Sequence, residues 1–144
     1  RSRLPESVES ELGLTYVQVN EVRQESDILV NLLPYTAATV NMINADWLAS
    51  MKPGAIIVSC GSGGTIDEQA LATAIGNGHI AGAAMDSYAY KPLKADNPLV
   101  VLARQSANII LTPHVAAGNS HPRTAEYTNI LRHLHGEPIL NRVV

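Results

Sequence analysis

The sequence has one cysteine, no phenylalanine and no long hydrophobic run among its 144 residues. A single cysteine excludes an intrachain disulfide framework and is typical of a reducing compartment, so we expect a cytoplasmic location. The apolar runs at residues 55–58 and 80–85 are far shorter than the roughly 20 residues that cross a bilayer. The composition therefore predicts a soluble globular enzyme or binding module with no membrane partner.

An excess of positive charge is also missing. The chain carries 10 Lys and Arg residues against 13 Asp and Glu residues, a formal net charge of −3. Because nucleic acids bind basic surfaces, this balance argues against a nucleic-acid partner. His79, His121, His133 and His135 lack ligand-like spacing with carboxylates or with the cysteine, so we expect no metal site.

Short apolar segments alternate with helical patterns along the chain. The segments are rich in Val, Ile, Leu and Ala at successive positions, as parallel strands buried on both faces are. The expected strands cover residues 16–19, 27–33, 55–59, 80–85 and 108–111, and the expected helices cover residues 5–12, 45–51, 66–77 and 121–135. This alternation predicts an α/β fold with a doubly wound parallel sheet, in which the last four strands are adjacent.

The segment IIVSCGSGGTIDE joins a strand to the third helix through a glycine-rich turn. Thr65 and Glu68 have the spacing of a capping box, in which each side chain bonds the backbone N–H of the other residue. Gly76 and Gly78 are typical of the helix end. Residues 87–98 form the longest segment without a regular pattern.

Three segments in this order are similar to a known family. ILVNLLPYTAATVNMINADWLASMKPGAIIVSCGSGGTIDEQAL is followed by GHIAGAAMDSYAYKPLKADNPL and then by NIILTPHVAAGNS. Together they resemble the NAD-binding domain of the D-isomer-specific 2-hydroxyacid dehydrogenases, which include glyoxylate/hydroxypyruvate reductases and phosphoglycerate dehydrogenases. The resemblance covers nearly the whole chain and implies a Rossmann-like fold and an oxidoreductase.

The resemblance also implies which residues form the site. His114, in TPHVAAG, matches the catalytic acid/base, and imidazole suits hydride chemistry because it gains and loses a proton near neutral pH. The implied cofactor-binding positions lie just past strand ends, where ligands of doubly wound sheets bind. They are Leu33, Pro34, Cys60, Gly61, Ser62, Asp86, His114, Ala116 and Ala117.

Two positions depart from the family pattern. Ser62 stands where the family has an Arg that holds the substrate carboxylate, and one hydroxyl cannot replace a planar charged fork. Lys91 stands where the family has a Glu that pairs with the histidine, and a lysine there favours neutral imidazole. We take His114, Lys91 and Ser62 as the candidate catalytic residues.

These departures leave several interpretations open. Lys91 could anchor an anionic substrate in a shifted chemistry, the chain could be a degenerate module that binds cofactor without turnover, or an active enzyme could have been mutated deliberately. Cys60 has no base beside it in sequence and is interpreted as a small residue facing the cofactor. Tyr88 and Tyr90 could line the pocket or pack within their loop.

The family pattern begins part-way into its domain. No G-x-G-x-x-G follows a strand, so we expect the first βαβ unit and its pyrophosphate loop upstream or on another chain. Two missing strands would then separate residues 16–19 from residues 27–33. Residues 1–117 would be the C-terminal part of the NAD(P)-binding domain, and residues 118–144 a helix and tail returning to a substrate domain.

The choice of cofactor depends on the start of the chain. Arg1, Ser2 and Arg3 follow the place where the second strand of the family domain ends, and NADP-using relatives hold the 2′-phosphate there. The alternative is an exposed basic entry to a helix. We therefore expect NAD or NADP with a preference for NADP, a small-molecule substrate, and a homodimer as in relatives.

Overall fold

The computed structural model describes residues 4–105, 107–116, 131–132 and 134–138. The chain separates into two units, residues 1–114 and residues 115–144. Within the first unit the described helices are α1 (Glu6–Glu11), α2 (Val19–Glu25), α3 (Ala45–Ala49), α4 (Glu68–Gly76) and α5 (Pro98–Arg104). The strands are β1 (Ile28–Asn31), β2 (Ala55–Ser59), β3 (Ile80–Met85) and β4 (Ile109–Leu111), and a 3₁₀ turn covers Gly63–Thr65.

The four strands form one parallel sheet in the order β1-β2-β3-β4. In its register Val30 lies beside Val58, Val58 beside Ala84, and Ala84 beside Ile110. Helical segments connect successive strands, as parallel pairing requires. The prediction of four adjacent parallel strands in a Rossmann-like α/β fold is confirmed.

The predicted first strand, residues 16–19, is wrong. Residues 15–18 have no strand assignment, and helix α2 starts at Val19. Val19 and Val22 are three residues apart, and Val22 packs against the core, so the apolar spacing in this region is helical. Glu21, Arg23 and Gln24 favour a helix as well, since their unbranched side chains lose little freedom there.

Two helix starts also differ from the sequence prediction. Asp67, rather than Thr65, caps α4, since its carboxylate accepts the Ala70 N–H at 3.0 Å. Thr65 instead donates its hydroxyl proton to the Ser62 carbonyl oxygen at 2.6 Å. Helix α5 was missed, although Asn97 at its N-cap and Pro98 at its first position are typical of a helix start.

The hydrophobic core lies on one face of the sheet. Leu48 of α3, Leu71 of α4 and Leu99 of α5 are at most 1% exposed and belong to the same core cluster as Ile57 and Met85. On the other face, Ile28, Val30 and Ile110 keep 59%, 56% and 62% of their surface exposed. In the described residues, helices therefore cover this sheet on one side.

The second unit is described in part. Leu131, Arg132 and Leu134 have helical backbone, and Arg132 Nε donates to the Pro138 carbonyl oxygen at 2.7 Å. Most of the predicted helix 121–135 lies outside the described residues, and so does most of the predicted segment 118–144. No helix in the described parts of the chain is long and apolar enough to cross a membrane.

Replacing Leu71 with Ala tests the one-sided core. Leu71 is fully buried, and removing its side chain leaves a cavity, so the free energy of unfolding should fall by about 2–5 kcal/mol. The matched control is Leu14→Ala, because Leu14 is 52% exposed and its loss should cost about 0.5 kcal/mol or less. Urea unfolding of both variants measures the difference; equal losses would contradict this location of the core.

Candidate active site

The carboxyl ends of all four strands contribute to one cavity of about 740 Å³. Residues 32–35 follow β1, residues 60–64 follow β2, residues 87–91 follow β3, and His114 follows β4. Val40 and Asn41 complete its lining. The volume lies in the range of small-molecule sites, roughly 300–1,000 Å³. The cavity is where a doubly wound sheet binds its ligand.

A buried carboxamide lies beneath the cavity. Asn31 is 3% exposed, and its Nδ2 donates to Ser59 Oγ at 3.1 Å and to Thr65 Oγ1 at 2.8 Å. Its Oδ1 accepts the Leu33 N–H at 3.1 Å. Both amide protons and the carbonyl oxygen of this side chain are therefore satisfied. The contacts connect the ends of β1 and β2 to the 3₁₀ turn.

The glycines after β2 let three segments of backbone pass close together. Cys60 N and Gly61 N both donate to the Asn31 carbonyl oxygen, at 3.1 and 2.9 Å. A Cβ on Gly61 would lie 2.8 Å from Leu33 N, and one on Gly63 would overlap the Tyr88 backbone. These turn residues must lack side chains because neighbouring backbone occupies the space.

Tyr88 connects the cavity to the core. Its side chain is buried, and its hydroxyl lies 3.0 Å from the Met85 carbonyl oxygen and 2.9 Å from that of Thr112. Burial raises the pKa of Tyr88, and the nearby carboxylates of Asp86 and Glu68 raise it further. The phenol therefore stays protonated and can donate its proton to these carbonyls.

Asp86 is held beneath the site rather than on its surface. It is 5% exposed, and its Oδ1 accepts the Thr112 hydroxyl at 2.5 Å. The cavity lining passes from Cys60 and its turn to Ser87 without including Asp86. Ser87 in turn donates its hydroxyl proton to the Gly61 carbonyl oxygen. A contact between Asp86 and a cofactor stays a prediction.

His114 has a backbone conformation that is rare for residues other than glycine. Its φ is +59°, in the left-handed region, and its N–H donates to the Thr112 carbonyl oxygen at 3.0 Å. Such a conformation costs about 1–2 kcal/mol, and residues with it concentrate at functional sites. The side chain is exposed at the cavity, next to the end of β4.

Lys91 and His114 are in direct contact. Lys91 Nζ lies 2.7 Å from His114 Nδ1, and both side chains are exposed at the cavity. A lysine ammonium has three donors and no acceptor, so Nδ1 must be the acceptor of this hydrogen bond. A neutral imidazole then carries its proton on Nε2. A carboxylate at position 91 would require the opposite arrangement, with the proton on Nδ1.

The cavity brings together most of the predicted site residues. Leu33, Pro34, Cys60, Gly61, Ser62, Lys91 and His114 all line it. Arg1, Ser2, Arg3 and Ala117 lie outside the described residues, and Ala116 is an exposed residue of the second unit. Tyr88 and Tyr90 line the cavity, and Tyr88 packs within its loop as well.

Sequence reasoning missed three polar or aromatic lining residues and the carboxamide beneath them. Tyr35, Asn41 and Ser87 line the cavity, and Asn31 supports it. Tyr35 and Ser87 lie four and two residues past the ends of β1 and β3, which is a signal that could have identified them. Asn31 lies within an apolar strand, where a polar residue must find buried partners. Asn41 comes from a distant turn and has no comparable signal.

The residues of the cavity fit one end of a nicotinamide dinucleotide. Leu33 and Pro34 provide apolar side chains in the lining, and Ser62 and Lys91 provide polar ones. Apolar walls with a few polar groups are typical of cofactor sites. The described residues contain no group of three His, Cys, Asp or Glu residues that could hold a metal ion.

The parallel sheet and its cavity define an α/β nucleotide-binding domain. The chain belongs to the D-isomer-specific 2-hydroxyacid dehydrogenase family, because residues 1–116 match that family's NAD-binding domain. It is 43% identical over 107 residues to D-3-phosphoglycerate dehydrogenase of Synechocystis, an alignment that covers 74% of this chain and 18% of that protein.

Solved structures of the same family are also similar to this chain. The apo D-mandelate dehydrogenase of Rhodotorula graminis matches with a TM-score of 0.84 at 26% identity, over 99% of this chain and 42% of that one. A 2-hydroxyacid dehydrogenase from Xanthobacter autotrophicus, in complex with NADPH, matches with a TM-score of 0.71 at 34% identity. This match covers 88% of this chain and 52% of that one. The chain spans about a third or less of the curated relatives it matches.

Gly63→Ala tests the close approach beneath the cavity. An added Cβ would overlap the Tyr88 backbone, so the free energy of unfolding should fall by about 2 kcal/mol or more. Gly76→Ala is the control, since its Cβ would meet only Leu102 Cδ1 at 4.0 Å and Ala favours a helix. Chemical unfolding compares the two variants, and a Gly63 variant as stable as the control would show that the loops are further apart.

Tyr88→Phe tests the protonated phenol. Losing its hydrogen bonds should cost about 1 kcal/mol at neutral pH. The pKa of Tyr88 is raised above the ordinary value of 10.0, so its contribution is complete below pH 10 and declines as the pH rises. The difference between wild type and Tyr88→Phe should therefore shrink in unfolding curves above about pH 10. A difference that persists in alkali would contradict this assignment.

Proposed function

We propose that this chain is the cofactor-binding part of an NAD(P)-dependent oxidoreductase that interconverts a small 2-oxo acid and the 2-hydroxy acid. The observation that carries the proposal is the cavity beyond the strand ends, which Ser62, Lys91 and His114 all line. The names of the relatives, a phosphoglycerate dehydrogenase and a mandelate dehydrogenase, support a 2-hydroxy acid as the substrate class.

His114 is the proton donor to the substrate carbonyl oxygen in this proposal. When bound, the reduced nicotinamide supplies the hydride that the carbonyl carbon receives. Leu33 and Pro34 line the cavity and would offer the ring an apolar surface. With Nδ1 bonded to Lys91, the other ring nitrogen of His114, Nε2, is the one that gives the proton.

The charge of the substrate makes Lys91 necessary in this proposal. An unpaired carboxylate costs up to several kcal/mol once binding displaces its water, and Ser62 offers it one hydroxyl only. Lys91 has three N–H donors, of which one serves His114 Nδ1. Its remaining donors and its positive charge compensate for the missing arginine, so Ser62 and Lys91 together bind the carboxylate.

We also propose NADP as the cofactor, cytoplasm as the location and a homodimer as the assembly. NADPH in the similar Xanthobacter structure supports the choice of cofactor. Arg1, Ser2 and Arg3 are the proposed contacts of the 2′-phosphate, because guanidinium groups match phosphate geometry. Cys60, Gly61, Asp86, Ala116 and Ala117 complete the proposed cofactor contacts.

A second function is a cofactor-binding module without turnover. Ser62 favours it, because a hydroxyl lacks the guanidinium that would hold and polarise a 2-oxo acid. The two functions share the same fold and the same cavity. They differ in whether NADPH is consumed when 2-oxo acids are present.

Reductase assays on the full-length protein distinguish the two functions. Wild type should oxidise NADPH with a 2-oxo acid, and His114→Gln should lower kcat by about 10²–10⁴-fold, because it removes the proton donor. Binding of NADPH, followed by its fluorescence, should stay within about twofold and serves as the folding control. A second assay tests the proposed carboxylate contact of Lys91. Lys91→Ala should raise KM for a carboxylate substrate far more than KM for an uncharged ketone, because only the carboxylate loses a cationic partner.

The combined change of Ser62→Arg and Lys91→Glu restores the family pattern. It should give 2-oxo acid reduction that still depends on His114, since the guanidinium holds the carboxylate and the new carboxylate pairs with the imidazole. If both wild type and this double variant bind NADPH but stay at background activity, the non-catalytic module is the better account.

A further inference from the structure

We infer that Lys91, besides its proposed contact with the substrate carboxylate, fixes the proton of His114 on Nε2 and then replaces that proton through Nδ1. The inference rests on the proposed reductase function. Its structural basis is the 2.7 Å contact between Lys91 Nζ and His114 Nδ1 at the cavity. Lys91 and His114 would therefore deliver the proton in two linked transfers. A carboxylate–imidazolium pair delivers it in one.

A relay is needed because a neutral imidazole is a very weak acid. It cannot give up its Nε2 proton to a forming alkoxide unless Nδ1 gains a proton at the same time. Lys91 is the group placed to supply that proton, because its ammonium is bonded to Nδ1. An alkylammonium is a much stronger acid than an alcohol, so the overall transfer is downhill.

The step balances in atoms and charge. A hydride from the bound reduced dinucleotide would reach the carbonyl carbon, and the carbonyl oxygen takes the proton of His114 Nε2. Nδ1 takes a proton from Lys91 Nζ, which leaves a neutral imidazole and a neutral amine. His114 and Lys91 are both exposed, so the site resets when Nε2 takes a proton from solvent and Nδ1 returns its proton to the Lys91 amine. This restores the ammonium and the tautomer with its proton on Nε2.

The geometry of the loops supports a fixed pair. Tyr88, three residues before Lys91, is buried and its hydroxyl lies 2.9 Å from the carbonyl oxygen of Thr112, two residues before His114. The His114 N–H donates to the same Thr112 carbonyl oxygen at 3.0 Å. Both loops are thus connected at one backbone oxygen, which holds the two side chains within reach of each other.

The tautomer can be measured without turnover. In ¹⁵N NMR spectra of the full-length protein, His114 should have an unprotonated Nδ1 and a protonated Nε2. Lys91→Arg should keep this tautomer, since a guanidinium also has donors only. Lys91→Glu should move the proton to Nδ1, because a carboxylate only accepts. A wild-type His114 with its proton on Nδ1 would overturn the inference.

Lys91→Arg also separates the relay from charge alone. Arginine keeps the positive charge and the donor but cannot lose its proton in a protein, so kcat should fall by about tenfold or more while KM changes little. Lys91→Met has no donor to His114 Nδ1, so kcat should fall at least as far in this variant. A Lys91→Arg enzyme with the wild-type kcat would overturn the relay.

Solvent isotope effects count the protons that move. In mixtures of H₂O and D₂O the wild-type rate should follow the curved dependence of two transferred protons. The double variant Ser62→Arg with Lys91→Glu should follow the linear dependence of one proton. A linear wild-type dependence overturns the relay and leaves the reductase proposal standing. If no variant reduces a 2-oxo acid, the relay and the proposed function fail together, and the tautomer shows whether the contact itself exists.

Discussion

The carboxamide of Asn31 holds the site together, because it forms hydrogen bonds to the segment after β1, to the end of β2 and to the 3₁₀ turn. Its donors reach Ser59 at the end of β2 and Thr65 in the 3₁₀ turn, and its oxygen takes the Leu33 N–H. A buried amide must satisfy all of these groups or cost a large desolvation penalty. The position of Leu33 and the turn that carries Ser62 both depend on this network.

Backbone packing limits what the turn after β2 can contain. The Gly63 backbone lies directly against Tyr88, and Tyr88 in turn is held by the carbonyl oxygens of Met85 and Thr112. The loop that carries Lys91 is therefore fixed at Tyr88, and the close contact there leaves no room for a side chain at position 63. This loop places Lys91 beside His114. The charge of the residue at position 91 therefore bears on the proposed tautomer of the imidazole.

The sheet has an unequal environment on its two faces. Leu71 and Leu99 are fully buried on one face, and Ile28, Val30 and Ile110 are largely exposed on the other. Continuous apolar strands of this kind are typical of sheets covered on both faces. In the described residues this face of the sheet stays largely exposed.

The sequence alone determined four adjacent parallel strands and, through the motifs around Ser62 and His114, the family, because apolar runs and motifs are local patterns. It also named seven of the residues that line the cavity. It did not determine helix α2, where apolar spacing was read as a strand, nor the cap of α4 at Asp67. Tertiary structure decided the partners of Asn31, the burial of Asp86 and the contact of Lys91 with His114. Apart from the local Leu33 N–H, the partners in these contacts lie 23 to 34 positions apart in the chain, so their distances depend on how strands and loops pack.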